Sequence, residues 1–262
     1  MRIFADLAYR GAAFHGWQIQ PQDISVQETI EKALSKILRR QAAVTGAGRT
    51  DAGVNASRMI AHFDLTEDES LSPNFLRSLN SLCGRDIAVY SLTPVGDNAH
   101  ARFDACERVY RYFLTADKNP FVRPLALKVA ALPDFDNMNS AAERLLGVRD
   151  FTSFSKLHSG ARTNICDLRK AQWHEVAGIP GLWCFEISAD RFLRNMVRAV
   201  TGTLLEVGRG AKPEEWVSEV LEARDRCAAG TSLPGEPLFL HDIAYPPEIY
   251  TAPERRYGFA LK

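Results

Sequence analysis

Gly46-Ala47-Gly48-Arg49-Thr50-Asp51-Ala52-Gly53-Val54 lies between a short apolar stretch at Val44 and a longer one from Met59 to Leu65. Its glycines mark a tight, exposed turn between two strands. The first two suggest a phosphate loop, but a dinucleotide fingerprint needs Gly three positions after the second, where this chain has Asp51. No Gly-Lys-Ser/Thr follows, and an acid in a phosphate cradle would repel its ligand. The turn therefore reads as a mount for one acid, Asp51, with Arg49 beside it. Taken alone, Thr50-Asp51-Ala52-Gly53 is more simply an Asp bonding the backbone two residues on.

Upstream, residues 2–9 alternate as a half-buried strand, with Ile3, Ala5, Leu7 and Tyr9 on one side. A loop with Phe14-His15-Gly16-Trp17-Gln18 follows. Ser25-Val26-Gln27-Glu28 then forms a capping box that opens a helix with Val26, Ile30, Ala33, Leu34, Ile37 and Leu38 on one face. Downstream, Ser72-Pro73 starts a helix at its first position and Gly84 ends it. Strands fit 86–93 and 108–115. In the second half, a helix at 137–146 stops at Gly147 and strands fit 166–176 and 181–189. One helix is expected over 191–206, and another from Pro213 to Gly230. Helices do not alternate one-for-one with strands, which favours α+β over a doubly wound sheet. The similar element order suggests two related halves, divided as 1–104 and 105–262. The tail after Tyr245-Pro246-Pro247 reads as irregular.

Composition is that of an ordinary globular protein, 46% hydrophobic and 24% charged. No apolar run approaches the ~18 residues of a membrane span. The acid at Asp6 falls too early for a signal-peptide core, so a cytoplasmic location is expected. Cys83, Cys106, Cys166, Cys184 and Cys227 form neither a disulfide framework nor a zinc spacing, and read as buried free thiols. The 32 basic and 32 acidic residues cancel, so a nucleic-acid partner would need a local cluster of cations.

Two segments supply chemistry that could join Asp51. Tyr110 sits on a strand alternating Tyr110, Tyr112 and Leu114 against Val109, Arg111 and Phe113; by spacing it is simplest as a core tyrosine. On a helix from 191, Arg191, Arg194 and Arg198 share one face, opposite Phe192, Leu193, Met196, Val197, Val200 and Leu204, which unaided reads as a solvated basic face. Residues 101–123 add Arg102, Arg108, Arg111, Lys118 and Arg123 against Asp104, Glu107 and Asp117.

Gly48-Arg49-Thr50-Asp51-Ala52-Gly53-Val54 resembles the signature of the tRNA pseudouridine synthase A family. So do Phe14-His15-Gly16-Trp17-Gln18, Phe63, Ala101–Ala105, Arg108–Tyr112, Asp150–Phe154, Phe192–Arg198, Gly202 and Glu206-Val207-Gly208, in order along nearly the whole chain. Two positions depart: Asn55 stands where the family usually has His, and Thr231-Ser232-Leu233-Pro234-Gly235 replaces a Thr-Ala-Pro-Ala-type loop.

The resemblance implies an α+β pseudouridine synthase fold, its two halves forming one continuous, mixed but mainly antiparallel sheet with a central cleft. It implies Asp51 as nucleophile, Tyr110 as the active-site ring that stacks on the target base, and Arg198 as the cation paired with the acid. Arg49, Arg191 and Arg194 become substrate contacts. The implied substrate is tRNA, modified at positions 38 to 40 of the anticodon stem-loop and also gripped at the elbow by a homodimer. No cofactor, metal or membrane is called for. A non-catalytic RNA-binding module and a carboxylate hydrolase are the rivals. All three site residues being present opposes the first, and the lack of a second acid or His in the motif opposes the second.

Overall fold

A computed structural model describes residues 1–156 and 162–250. Among these, the strands are β1 (Arg2–Tyr9), β2 (Thr45–Gly46), β3 (Asn55–Asp64), β4 (Ile87–Val95), β5 (Glu107–Thr115), β6 (Leu127–Lys128), β7 (Gly147–Asp150), β8 (Ile165–Glu175), β9 (Leu182–Ala189) and β10 (Leu238–Ala244). The helices are α1 (Val26–Leu38), α2 (Phe75–Cys83), α3 (Phe135–Glu143), α4 (Met196–Gly208) and α5 (Trp216–Ala223). The fold is α+β, and the pairing is mostly antiparallel.

The first compact unit comprises Met1–Cys106 with the segment from Leu240 onward. Its strands run β4-β1-β3-β10, with β2 on β3. β1 pairs antiparallel with β3, Arg2 opposite Asp64 and Ala5 opposite Ala61. β10 lies beside β3, where Arg58 draws it in: the buried guanidinium donates to Asp6 at 2.9 Å, to Asp242 at 2.6 Å and to the Ile243 carbonyl at 3.0 Å. Ser25 caps α1 by accepting the Glu28 N–H, while the Glu28 carboxylate pairs with Lys32. β3 leaves the turn at Asn55, earlier than expected, and α2 begins at Phe75, beyond Pro73.

The second unit is built on Glu107–Phe239. Its strands run β5-β9-β8-β7, with β6 parallel to β5. α3 packs on α4 at Gly208, where an added Cβ would lie 2.5 Å from the Met138 sulfur. The helix expected over 191–206 begins only at Met196, because Asn195 adopts left-handed backbone at φ 68°. It is buried almost all round, so it is a core helix and not one with a solvated basic face. α5 ends at Ala223, followed by left-handed Arg224; Gly230, read as its terminator, packs instead against Thr203 of α4.

Cys83, Cys166 and Cys184 are buried, and burial pushes their thiols up to about 11, 12 and 12. Cys106 and Cys227 are exposed, against expectation. The tail opens with a 3-10 turn, Pro247–Ile249; residues 251–262 lie outside the described residues. No helix among the described residues is long and apolar enough to cross a membrane.

Candidate active site

The turn of the first unit is fixed from both sides. Gly46 and Ala47 hold its incoming arm to β3, the Ala47 N–H donating to the Ile60 carbonyl at 2.8 Å. The outgoing arm closes on itself, the Val54 N–H reaching the Asp51 carbonyl at 3.2 Å with Gly53 at φ 78°. Asp51 sits half-buried at the head of that closed turn, between exposed Arg49 and exposed Ala52.

The loop of residues 11–18 buttresses the turn. The Trp17 N–H donates to the Thr50 carbonyl at 3.2 Å, and the Gly53 N–H to the Phe14 carbonyl at 3.4 Å. The Trp17 indole covers Gly46 so closely that a Cβ there would lie 2.5 Å from the ring. Gly16 comes equally near, a Cβ falling 2.6 Å from the Thr50 carbonyl oxygen. The loop is anchored in turn to α1, whose Val26 and Gln27 N–H groups donate to the carbonyls of Gly16 and Trp17. Buried Asn55 accepts the Gly11 N–H at 2.8 Å and so ties loop to turn.

In the second unit Tyr110 is buried on β5, its ring edge-on to Phe192 at 5.0 Å. Arg198 lies on the first turn of α4. Its Nε donates to the Leu233 carbonyl at 2.6 Å, and the Leu233 N–H returns to the Arg198 carbonyl at 3.2 Å. The loop carrying Leu233 presses against Gly202, where a Cβ would collide with the Thr231 carbonyl. Ser232 gathers two further donors, Asn195 at 2.6 Å and Arg226 at 2.7 Å. The Thr231–Gly235 loop is thus the one that holds Arg198.

Arg191 and Arg194 precede α4 and share no helical face with Arg198. They lie on a loop shaped by Asp190, whose carboxylate accepts the N–H groups of Asp167 and Arg191, each at 2.8 Å. Arg194 is exposed, and its carbonyl accepts the Lys156 N–H at 3.0 Å. That contact puts Lys156, which sequence reasoning passed over, next to Arg194. Two other cations are committed elsewhere: Arg111 pairs with Glu186 at 2.7 Å, and Arg108 donates to the Asp190 carbonyl at 2.7 Å. Asp51 and Arg49 thus belong to the first unit, and Tyr110, Arg191, Arg194 and Arg198 to the second. No group of three metal-ligating side chains occurs among the described residues.

The tRNA pseudouridine synthase family profile matches residues 141–246. A tRNA pseudouridine synthase A of Bacteroides thetaiotaomicron is 52% identical over 250 residues, which cover 95% of this chain and 93% of that protein. Those of Parabacteroides distasonis and Bacteroides fragilis are 50% and 49% identical over 249 residues, 95% of this chain and 98% of each. The chain belongs to the tRNA pseudouridine synthase A family. This is a family of isomerases, and the similarity spans both units, so the resemblance seen in the Gly48–Val54 string extends through the chain that carries Tyr110 and Arg198.

Proposed function

We propose that this protein isomerises uridine to pseudouridine at positions 38 to 40 of tRNA, with Asp51 as nucleophile. The reaction breaks C1′–N1, turns the base and joins C1′ to C5; N1 gains a proton and C5 loses one. Nothing is oxidised, and no group leaves the substrate. One carboxylate suffices, attacking either uracil C6 or ribose C1′. The target base must leave its helix to reach a protein pocket. Tyr110 stacks on it and its hydroxyl relays a proton. An anion working beside RNA phosphates needs a fixed cation, and Arg198 supplies a permanently charged one. Arg49, Arg191 and Arg194 take phosphates near the site, and a homodimer spreads the remaining contacts over one tRNA, its elbow included.

The observation that carries this reading is the clamped turn, which presents one half-buried carboxylate on a backbone secured by a second loop. Carbodiimide mapping of pseudouridine on tRNA transcripts tests it. Wild-type protein modifies anticodon-stem uridines and spares the T-loop. Asp51→Asn binds tRNA without turnover, and Arg198→Met loses roughly two orders of magnitude in rate, as when a preorganised electrostatic partner is removed. Near wild-type single-turnover modification by Asp51→Asn would falsify the assignment, and marks confined to the T-loop would overturn the substrate. A fully active monomer in sedimentation would overturn the dimer.

A further inference from the structure

Directly before Asp51 stands a residue of the same motif to which the proposed chemistry gives no role. Thr50 is buried, and its hydroxyl lies 2.8 Å from the hydroxyl of Tyr9, the last residue of β1, itself buried. The Tyr9 ring leans on the Trp17 indole at 6.0 Å, and that indole covers Gly46 at the far arm of the turn. Thr50 is therefore held twice, through its carbonyl by the Trp17 N–H and through its side chain by Tyr9. The two restraints come from different elements and act on one residue. Together they set where the peptide leading into Asp51 sits and how it is rotated.

Threonine and tyrosine are not interchangeable with apolar residues here. A β-branched Thr has few χ1 options, so fixing its hydroxyl also fixes the backbone that carries it. A hydrogen bond in which one hydroxyl donates to the other out of water is a directional contact, whereas an apolar pair would only fill space. A carboxylate that must meet one carbon atom tolerates little drift, and a displacement of about 1 Å costs on the order of 100-fold in rate. We propose that the Tyr9–Thr50 hydroxyl pair is a positioning device for Asp51: both are positioning residues of the isomerisation, and neither touches the base.

The inference rests on Asp51 being the nucleophile, so the experiment runs Asp51→Asn alongside. Single-turnover pseudouridine formation and tRNA affinity are measured for Tyr9→Phe, Thr50→Val, the double variant and Thr50→Ser, well below each melting temperature. Tyr9→Phe and Thr50→Val are each expected to slow the chemical step by roughly 10- to 100-fold, with tRNA affinity within about twofold of wild type. The double variant is expected to be no slower than the worse single one, because the pair acts as a unit. Thr50→Ser keeps the hydroxyl without the β-branch and is expected to be faster than Thr50→Val but slower than wild type; a Thr50→Ser no faster than Thr50→Val would overturn the proposal. If Asp51→Asn is inactive while Tyr9→Phe turns over at the wild-type rate, the positioning proposal fails and the nucleophile assignment stands. If the two single losses multiply in the double variant, or Tyr9→Phe lowers only the melting temperature, the residues are ordinary core and the proposal fails. An active Asp51→Asn overturns the assignment itself.

Discussion

Gly46 and Gly48 sit two residues apart in the same turn, yet replacing each with alanine should have opposite consequences. At Gly46 an added Cβ would lie 2.5 Å from Cε2 and Cζ2 of Trp17 and 2.8 Å from its Nε1. Carbon atoms pack comfortably at about 3.5–4.0 Å, so the ring would have to retreat by roughly 1 Å. It has little room to do so: Trp17 is only 3% exposed, and its ring rests on Tyr9. Overpacking of this kind costs about 1–3 kcal/mol. The smaller conformational entropy of the unfolded alanine chain returns about 0.4–1 kcal/mol. The net loss is then on the order of 1–2 kcal/mol, a fall of roughly 2–8 °C in melting temperature for a chain of this size. At Gly48 nothing lies within 4 Å of the added Cβ, and only the unfolded-state gain remains. Gly48→Ala should therefore melt at or slightly above the wild-type temperature. Thermal unfolding followed by circular dichroism, with urea titrations to check that the slope is unchanged, measures both. A Gly46→Ala protein as stable as wild type, or two variants that fall together, would show that the indole does not hold the turn.

Three other outcomes follow from the first unit. Arg58→Met removes the cation between Asp6 and Asp242 and leaves carboxylates without it in a buried place; urea denaturation should show a loss of about 3–5 kcal/mol, and a loss below about 1 kcal/mol would refute the role given to the triad. Burial, aided by Arg2 and His100, pushes the His62 imidazole down from 6.5 to about 4. Above pH 6.5 the ring is neutral folded or unfolded, whereas between 6.5 and 4 the unfolded chain takes up a proton that the folded chain refuses. Stability should thus fall with acid across that window, and His62→Gln should flatten the slope; an unchanged slope in the variant would assign the acid sensitivity to other groups. Asn55→Ala strands the buried Gly11 N–H and should cost about 1–3 kcal/mol, recoverable in part by Asn55→Asp; equal losses in both variants would mean that the acceptor is not what matters.

Strands and the amphipathic α1 were legible because their signals are local. The Ser25 cap marks the start of α1, and β1 spans the residues expected of it, although it is buried on both faces, Phe4 and Asp6 included, and not on one as the alternation suggests. The placement of β10 was not legible, since nothing near residue 240 announces that its partner is β3 or that Arg58 reaches Asp242 across the intervening chain. Tyr9 and Thr50 were invisible as a pair for the same reason: one reads as a strand residue and the other as part of a motif. Cys106 and Cys227 were misplaced because composition speaks to bonding state and not to exposure.

The basic helix face failed for a more instructive reason. Periodicity treats 191–206 as one helix, and a single left-handed residue at Asn195 is enough to take Arg191 and Arg194 off it. What remains, Arg198, points where it does because a loop carbonyl at Leu233 takes its Nε. Asp51 is mounted in the same way, on a turn whose Thr50 carbonyl is taken by a loop N–H. In each unit a regular element supplies the coarse address of the side chain, and a second loop supplies the fine one. Such loops can come near enough only where the facing residue has no side chain, which accounts for Gly16 and Gly46 beside the turn and Gly202 beside the Thr231–Gly235 loop. A side chain with the role proposed for Asp51 or Arg198 must be held more tightly than a helix or strand end alone can manage, and support from contacts distant in sequence supplies that. Those contacts are written in glycines and backbone groups, and one-dimensional periodicity does not register either.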